Sequence, residues 1–153
     1  MDIRILAETG SFAVRAGALV FHEGKLLVAS AKGDSDFYTI GGKVKIGETT
    51  QEAAIREAKE ETGLDFSVDR LLFMQERFFS LQGKQHQEIA FFYLMQGDAS
   101  SLSEGADTDQ PGFETLHWLP VDQLHYYSLK PVFLQNALSS LPENPLHIIS
   151  DER

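Results

Sequence analysis

Residues 41–64, which read GGKVKIGETTQEAAIREAKEETGL, place the strongest single constraint on the fold of this chain. Two glycines open the stretch, a short loop follows, and neither proline nor glycine interrupts residues 51–62. Thr49 or Thr50 can cap a helix, and Gly63 suits the left-handed residue that closes many helices. The stretch therefore predicts a loop that enters a helix near residues 48–50 and a helix that ends at Gly63.

Three carboxylates share one face of this helix. On a helical wheel of about 100° per residue, Glu60 and Glu61 lie on either side of Glu57. Like charges one turn apart cost a few tenths of a kcal/mol, so a cation is expected to offset them. Arg56 and Lys59 point away from the centre of the face, whereas Mg²⁺ takes oxygen ligands and bridges carboxylates to phosphates. From these residues alone, a solvated acidic surface is the alternative interpretation.

The same stretch resembles the Nudix box, Gly-x5-Glu-x7-Arg-Glu-U-x-Glu-Glu-x-Gly-U, in which U is aliphatic. The positions of the box are filled without a gap by Gly42, Glu48, Arg56, Glu57, Ala58, Glu60, Glu61, Gly63 and Leu64. At a background usage of roughly 6% per residue type, a chance match is on the order of one in 10⁸ per starting position. Ala58 is the only departure, because a larger aliphatic residue is common there.

The resemblance implies an α+β chain with a Nudix-type α/β/α sandwich and a mixed β-sheet. It also implies hydrolysis of a nucleoside diphosphate linked to another moiety, by attack of water on phosphorus. The implied cofactor is Mg²⁺, for which Mn²⁺ can substitute. Its expected ligands are Glu57, Glu60, Glu61 and the carbonyl oxygen of Gly41.

Further roles follow from the resemblance for the remaining box residues. Glu48 is expected to form an ion pair with Arg56 that joins the loop to the helix. The resemblance also implies that Arg56 and Glu57 are catalytic residues. Gly42, Glu48 and Gly63 are expected to support the site structurally.

Outside the box, a few charged residues are candidates for the same site. Glu88, in QHQEI, is either a further ligand or general base, or a solvated turn residue, with equal weight. His86 is a weaker candidate base. Arg15 and Arg77 lie inside strand patterns, where arginine is expensive unless it is paired or faces a cleft. Either arginine could bind substrate phosphate, or could pair with a box carboxylate.

Composition limits the remaining classes of function. The 153 residues predict a single domain over 1–153, and the absence of cysteine excludes disulfides and thiolate metal sites. A net charge of −10 argues against a nucleic-acid-binding surface. No apolar run approaches the ~20 residues of a membrane span, so the expected location is cytoplasmic. The expected partner is a small nucleotide, and the chain could also form a homodimer.

The order of apolar runs predicts many strands, one helix in the middle of the chain, and helices near the end. Strands are predicted over residues 2–7, 12–22, 25–29, 37–40, 66–79, 88–95 and 114–119. Residues 12–22 and 25–29 should form a hairpin, and residues 80–87 a polar turn. Residues 96–112 should form a mobile loop. A short helix should begin at Pro120, a second helix should cover residues 130–141, and residues 147–150 should be a tail or a short strand.

Substrate choice stays open at this stage. The chain lacks the SQPWPFP array of NADH pyrophosphatases and the proline about fifteen residues past the box that is typical of ADP-ribose enzymes. These absences favour a nucleoside triphosphate or a similar small nucleotide. The alternatives are ADP-sugars, dinucleoside polyphosphates, or a nucleotide-sensing module without turnover. A Nudix-fold isomerase would need its own nucleophile, and no cysteine is present.

Overall fold

The computed structural model of the protein describes all residues from 1 to 153. The strands are β1 (Arg4–Ala7), β2 (Gly10–Leu19), β3 (Phe21–His22), β4 (Lys25–Ala31), β5 (Phe37–Lys43), β6 (Ser67–Leu81), β7 (Lys84–Gln96), β8 (Glu114–Pro120), β9 (Leu129–Lys130) and β10 (Leu146–Glu152). The helices are α1 (Thr50–Thr62), a 3-10 helix (Val121–Tyr126) and α2 (Leu134–Ala137).

All ten strands belong to one mixed sheet, whose main path runs β10-β6-β7-β2-β5-β4-β3. The pairs β2–β7 and β6–β10 are parallel, whereas β6–β7, β2–β5 and β4–β5 are antiparallel. Strands β1, β8 and β9 branch from this path onto β2, β4 and β5. The predicted α+β fold with a mixed sheet is confirmed.

Alternation along β2 divides the core between the two faces of the sheet. Ala16 and Ala18 face α1, whose Ala53, Ala54 and Ala58 are fully buried against them. The small side chain at position 58 lets the helix approach the strands closely. On the other face, a second cluster includes Leu19 of β2 and leucines of the 3-10 helix and α2. The sheet therefore lies between two layers that contain helices, and the layer opposite α1 is the thinner one.

Helix α1 begins and ends as its sequence predicts. Thr49 is the N-cap, and its side chain forms a reciprocal capping box with Glu52. Gly63 closes the helix at φ 76°, in the left-handed region, and donates its N–H to the carbonyl oxygen of Lys59. These caps fix both ends of the segment that carries the acidic face.

Two predictions about the strands were wrong in extent. The predicted hairpin of residues 12–22 with 25–29 forms only next to its turn, where Phe21 and His22 of β3 pair with β4, because β2 ends at Leu19. The main neighbours of β2 are β5 and β7, which lie far away in sequence. The predicted polar turn lies at Gln82 and Gly83, but it is shorter than residues 80–87, because β6 and β7 extend up to these two residues. Sequence-distant pairing explains only the first error, whereas the second arises because the paired backbone of the β6–β7 hairpin lets polar residues occupy strands.

The predicted helix over residues 130–141 is also wrong in extent, because only Leu134–Ala137 is α-helical. Leu129 and Lys130 instead form β9 and pair with β5, and Pro131 has no N–H with which to extend a helix upstream. Leu134 and Leu138 are still buried, so the apolar pattern identified core residues correctly. The chain ends in β10, which settles the alternatives for residues 147–150 as a strand.

Beyond Gln96, which ends β7, residues 97–112 contain no helix or strand, as predicted, but they are held against β8, in part by a β-bridge between Asp107 and Thr115. Gly105 donates its N–H to the carbonyl oxygen of Leu116 at 2.8 Å. The carboxylate of Glu104 accepts a hydrogen bond from the backbone N–H of Trp118 at 2.7 Å. The indole N–H of Trp118 donates to the carbonyl oxygen of Leu102 in the loop. These contacts order the loop, and its closure over a ligand stays a prediction.

Candidate active site

A guanidinium group joins the loop of residues 44–49 to α1. Arg56 donates from Nη2 and Nε to the two carboxylate oxygens of Glu48, at 2.7 and 2.9 Å. It also donates to the carbonyl oxygen of Lys43 at 3.1 Å, while Glu48 accepts the N–H of Lys45 at 2.8 Å. The Arg56 hydrogen bond lowers the pKa of Glu48 to about 2. This bidentate pair is the expected link between loop and helix, and both side chains are largely buried.

Glu61 lies behind the paired glycines at the end of β5. Its Oε2 accepts the N–H of Gly41 at 2.9 Å. Burial, assisted by the nearby carboxylates of Glu114, Glu57 and Asp109 and opposed by the Gly41 N–H, raises the pKa of Glu61 to about 8. A carboxyl group in this state needs a positive partner to ionise at neutral pH.

Glu57 packs directly against the backbone of Gly42. A Cβ atom on Gly42 would lie 2.4 Å from Glu57 Oε1, so any larger residue would displace the carboxylate. Burial raises the pKa of Glu57, although a 2.8 Å hydrogen bond from Arg56 Nη1 works in the opposite direction. The close approach explains why glycine stands at position 42.

One expectation about Arg56 was wrong. The helical wheel placed its Cα away from the acidic face, yet Nη1 contacts Glu57 at 2.8 Å and both oxygens of Glu60 at 3.4 Å. The wheel describes only the direction of Cβ, whereas the long arginine side chain spans the distance to the neighbouring turn. Arg56 therefore neutralises part of the charge that was assigned wholly to a metal ion.

The oxygen-only donor set suits a hard divalent cation such as Mg²⁺. Glu57 and Glu61 stand one turn apart, on the side of α1 that meets Gly41 and Gly42. Glu60 is more exposed and lies at the rim. No group of three or more acidic or histidine side chains is already arranged to hold a metal ion. The chemistry of the donors fits the cation, and Arg56 holds two of them, Glu57 and Glu60, in ion pairs.

A cleft of about 450 Å³ opens beside the two glycines, on the face of the sheet opposite α1. Arg15 lines it, and neither Arg15 nor the lining residue Lys130 forms an ion pair within 4.0 Å. The positive charge of Arg15 also lowers the pKa of Glu57, so its side chain connects the cleft to the acidic residues. Unpaired cations next to buried carboxylates can bind the phosphates of a ligand.

Glu88 and Arg77 also lie in the cleft, and both are strand residues. Glu88 is inside β7, directly opposite Arg77 of β6, and the two side chains approach to 3.8 Å. Arg77 also pairs with Glu152 of β10 at 2.8 Å and lies over the ring of Phe79. The solvated-turn alternative for Glu88 is therefore wrong, and so is the pairing of Arg77 with a box carboxylate.

The structure brings together residues that no local pattern indicated. His86, the weaker base candidate, lies outside the cleft, where it stacks on Phe79 and bonds to Ser11. The cleft is instead completed by Asp36, Tyr38, Gln75, Lys130 and Glu152. Several of these residues reach the site through the pairing of β9 and β10, which joins distant parts of the chain. The only signal available in the sequence was their polarity within apolar runs.

Comparison with known proteins decides the family. A family model described as NUDIX domain matches residues 11–137. The chain belongs to the Nudix family. The match begins in β2 and ends with α2, so it includes the whole box and most of the cleft but not β10.

Individual relatives of this Nudix protein carry different names. An ADP-ribose pyrophosphatase of Methanocaldococcus jannaschii is 30% identical over 111 residues, which are 71% of this chain and 64% of the relative. Across three curated relatives, the matches span 32%, 19% and 64% of the relatives' lengths.

Solved structures support the fold. A UDP-X diphosphatase superposes with a TM-score of 0.60 at 19% identity, covering 89% of this chain and 66% of the other. A MutT protein from Bacillus halodurans gives 0.57 at 19% identity, covering 80% and 77%. None of the helices of the present chain is both long and apolar enough to span a membrane.

Proposed function

We propose that this Nudix protein is a divalent-metal-dependent pyrophosphohydrolase that cleaves a nucleoside diphosphate linked to another moiety. The observation that carries the proposal is the placement of Glu57 and Glu61 against Gly42 and Gly41, two glycines that also line a cleft with an unpaired arginine. Family membership supports the same class of reaction. The preferred substrate is a nucleoside triphosphate or a similar small nucleotide.

The proposed metal ligands are Glu57, Glu60, Glu61 and the carbonyl oxygen of Gly41. Mg²⁺ or Mn²⁺ bound there would offset the charge that develops on phosphate oxygens. The reduced acidity of Glu61 means that cation binding would also release a proton near neutral pH.

The protein side chains have separate roles in the proposed reaction. Arg15 binds a phosphate and holds the substrate in the cleft, because no carboxylate competes for it at short range. Glu88 is the proposed general base or further ligand, and its 3.8 Å separation from Arg77 leaves it free to accept a hydrogen bond from water. Arg56 holds Glu57 and the loop in place through Glu48.

A screen for phosphate release tests this function directly. Purified protein would be incubated with nucleoside triphosphates, dinucleoside polyphosphates and nucleotide sugars, each with Mg²⁺ and with Mn²⁺. Turnover that requires the metal supports the proposal. Tight binding of one nucleotide without turnover of any would favour the alternative, a nucleotide-sensing module. The presence of all the glutamates of the box argues against that alternative.

A second substrate class is favoured by one comparison. The relative that is matched over 71% of this chain is named an ADP-ribose pyrophosphatase. ADP-sugars therefore belong in the first round of the screen, although the chain lacks the downstream proline expected of that group.

A further inference from the structure

Gln75 is a buried polar residue of the cleft whose side-chain amide is only half used. It is 4% exposed and lines the cleft. Its Nε2 donates to Ser150 Oγ at 3.0 Å, and no protein donor reaches its Oε1. Every fully buried side-chain nitrogen or oxygen atom of the protein has a hydrogen-bond partner. Because Oε1 has no such partner, it is not fully buried, and it is accessible from the cleft that Gln75 lines. A polar atom held in this way is suited to a ligand, because leaving it unpaired on burial would cost about 1–3 kcal/mol.

Strand β10 fixes the orientation of this wall of the cleft. It runs parallel to β6, and its Ser150 and Glu152 lie on the same face as Gln75 and Arg77. Ser150 binds the amide of Gln75, and Glu152 binds the guanidinium of Arg77. Strand β10 lies outside residues 11–137, which the family model matches.

Strand register places Gln75 at one end of a row that leads to the acidic residues. Gln75 lies opposite Ala90, Ala90 opposite Arg15, and Arg15 opposite Lys43. Adjacent strands are about 4.8 Å apart, so Gln75 is roughly 10 Å from Arg15 and roughly 14 Å from β5, which carries the paired glycines. A nucleotide with its phosphates at Arg15 and Gly42 would extend across Ala90 toward Gln75.

The residues between these two ends are small or apolar. The ring of Phe92 lies against Gly17, where a Cβ atom would be 2.4 Å from it. Ala90 adds only a methyl group, and Pro131 and Val132 also line the cleft. An apolar surface with one fixed hydrogen-bond acceptor at its edge suits a nucleobase.

We propose that Gln75, oriented by Ser150 of β10, is a specificity-determining residue that accepts a hydrogen bond from an N–H group of the substrate's nucleobase. This inference rests on the proposed function, because it takes the phosphate end of the cleft to be at Arg15. It assigns base recognition to β6 and β10, at the edge of the sheet that lies away from the metal ligands.

Calorimetric titration in the presence of Mg²⁺ tests the proposal without requiring turnover. The probes are ADP, GDP, CDP and UDP, together with ribose 5-diphosphate, which has the same phosphates and no base. Wild-type protein should bind at least one nucleotide more tightly than the base-free probe. Gln75→Leu should reduce that advantage about five- to tenfold, the effect of one hydrogen bond, and leave ribose 5-diphosphate binding unchanged.

Gln85→Leu is the matched control. Gln85 forms the same kind of bond, from its Nε2 to Ser80 Oγ at 3.0 Å, but on the exposed end of the β6–β7 hairpin. It should bind every probe as the wild type does. Ser150→Ala keeps Gln75 but releases its amide, so it should lose part of the advantage. If Gln75→Leu does not fold, the ratio of nucleotide affinity to ribose 5-diphosphate affinity in Ser150→Ala tests the role of Gln75 instead.

The proposal is overturned if no nucleotide exceeds ribose 5-diphosphate in the wild type, or if Gln75→Leu weakens both kinds of probe by the same factor. Hydrolysis is measured separately on the wild type. Turnover without base discrimination would refute only the role of Gln75, whereas base discrimination without turnover would refute only the proposed hydrolysis.

Discussion

Replacement of Glu61 by glutamine should make the metal-free protein more stable, and the gain should grow with pH. In the folded protein burial raises the pKa of this carboxyl from 4.5 to about 8. Between these values the folded state keeps a proton that the unfolded state has lost, so the wild type loses stability as the pH rises. Glutamine does not titrate, and its carbonyl oxygen can still accept the N–H of Gly41.

The size of the effect follows from the same pKa difference. One pKa unit corresponds to about 1.4 kcal/mol, so the rise from 4.5 to about 8 gives an upper bound of about 5 kcal/mol. Glu61 keeps some contact with solvent, and an effective dielectric constant well above that of a dry interior reduces the effect. We expect Glu61→Gln to exceed the wild type by about 2 kcal/mol at pH 9, and by much less at pH 5.

Urea denaturation in a chelating buffer at pH 5, 7 and 9 measures this difference. Glu60→Gln is the control, because Glu60 is the exposed neighbour on the same face and should show little pH-dependent change. A stability difference between Glu61→Gln and the wild type that stays constant from pH 5 to pH 9 would refute the argument. Such a result would mean that Glu61 is ionised in the folded protein without a metal ion.

Three further substitutions and one exchange measurement test the site. Glu57→Gln should remove nearly all turnover and leave the melting temperature of the metal-free protein unchanged or slightly higher. It should also reduce the increase in melting temperature that Mg²⁺ causes in the wild type. If Mg²⁺ raises the melting temperature of the variant as much as that of the wild type, Glu57 is not a metal ligand. Glu88→Gln should lower turnover by ~10²-fold or more with little change in melting temperature, and a loss below threefold would leave it a structural partner of Arg77. Glu48→Gln should cost about 1–3 kcal/mol of unfolding free energy at pH 7, because Arg56 loses its bidentate partner. With a folded pKa of about 2 for Glu48, that difference should vanish as the pH falls from about 4.5 toward 2, as acid-titrated circular dichroism would record. Hydrogen exchange of residues 96–112 should slow when a nucleotide analogue binds, and equal protection in both states would exclude ligand-dependent closure.

Helix α1 could be predicted almost entirely from the sequence, because its determinants are local. Thr49, Glu52 and Gly63 specify the ends through contacts within four residues, and buried alanines mark the face against the sheet. The wheel failed only for Arg56, whose position depends on a flexible side chain rather than on Cβ direction.

The contacts across the opposite wall of the cleft could not be predicted, because the candidates Arg77 and Glu88 carried no signal of their partners. A turn position for Glu88 was an open alternative because the polar run before it carries no apolar alternation, yet β6 and β7 continue through that run. Glu152 and Arg77 are 75 positions apart in the sequence, and they meet only because β10 pairs with β6. No motif records such a contact, so the polar residues of β6 and β10 became visible only in the folded chain.

The position of β10 also determines which strand forms the edge of the sheet. Without this strand, the edge of the sheet would be β6, a 15-residue strand that carries Phe73, Phe78 and Phe79. A long apolar edge of this kind offers unpaired N–H and C=O groups to the same edge of another copy. The strand that covers it is shorter, with seven residues, and carries the charged residues Asp151 and Glu152, and such features of an edge strand discourage a further strand from adding. The element proposed to orient base recognition would thereby also keep the folded chains apart at high concentration.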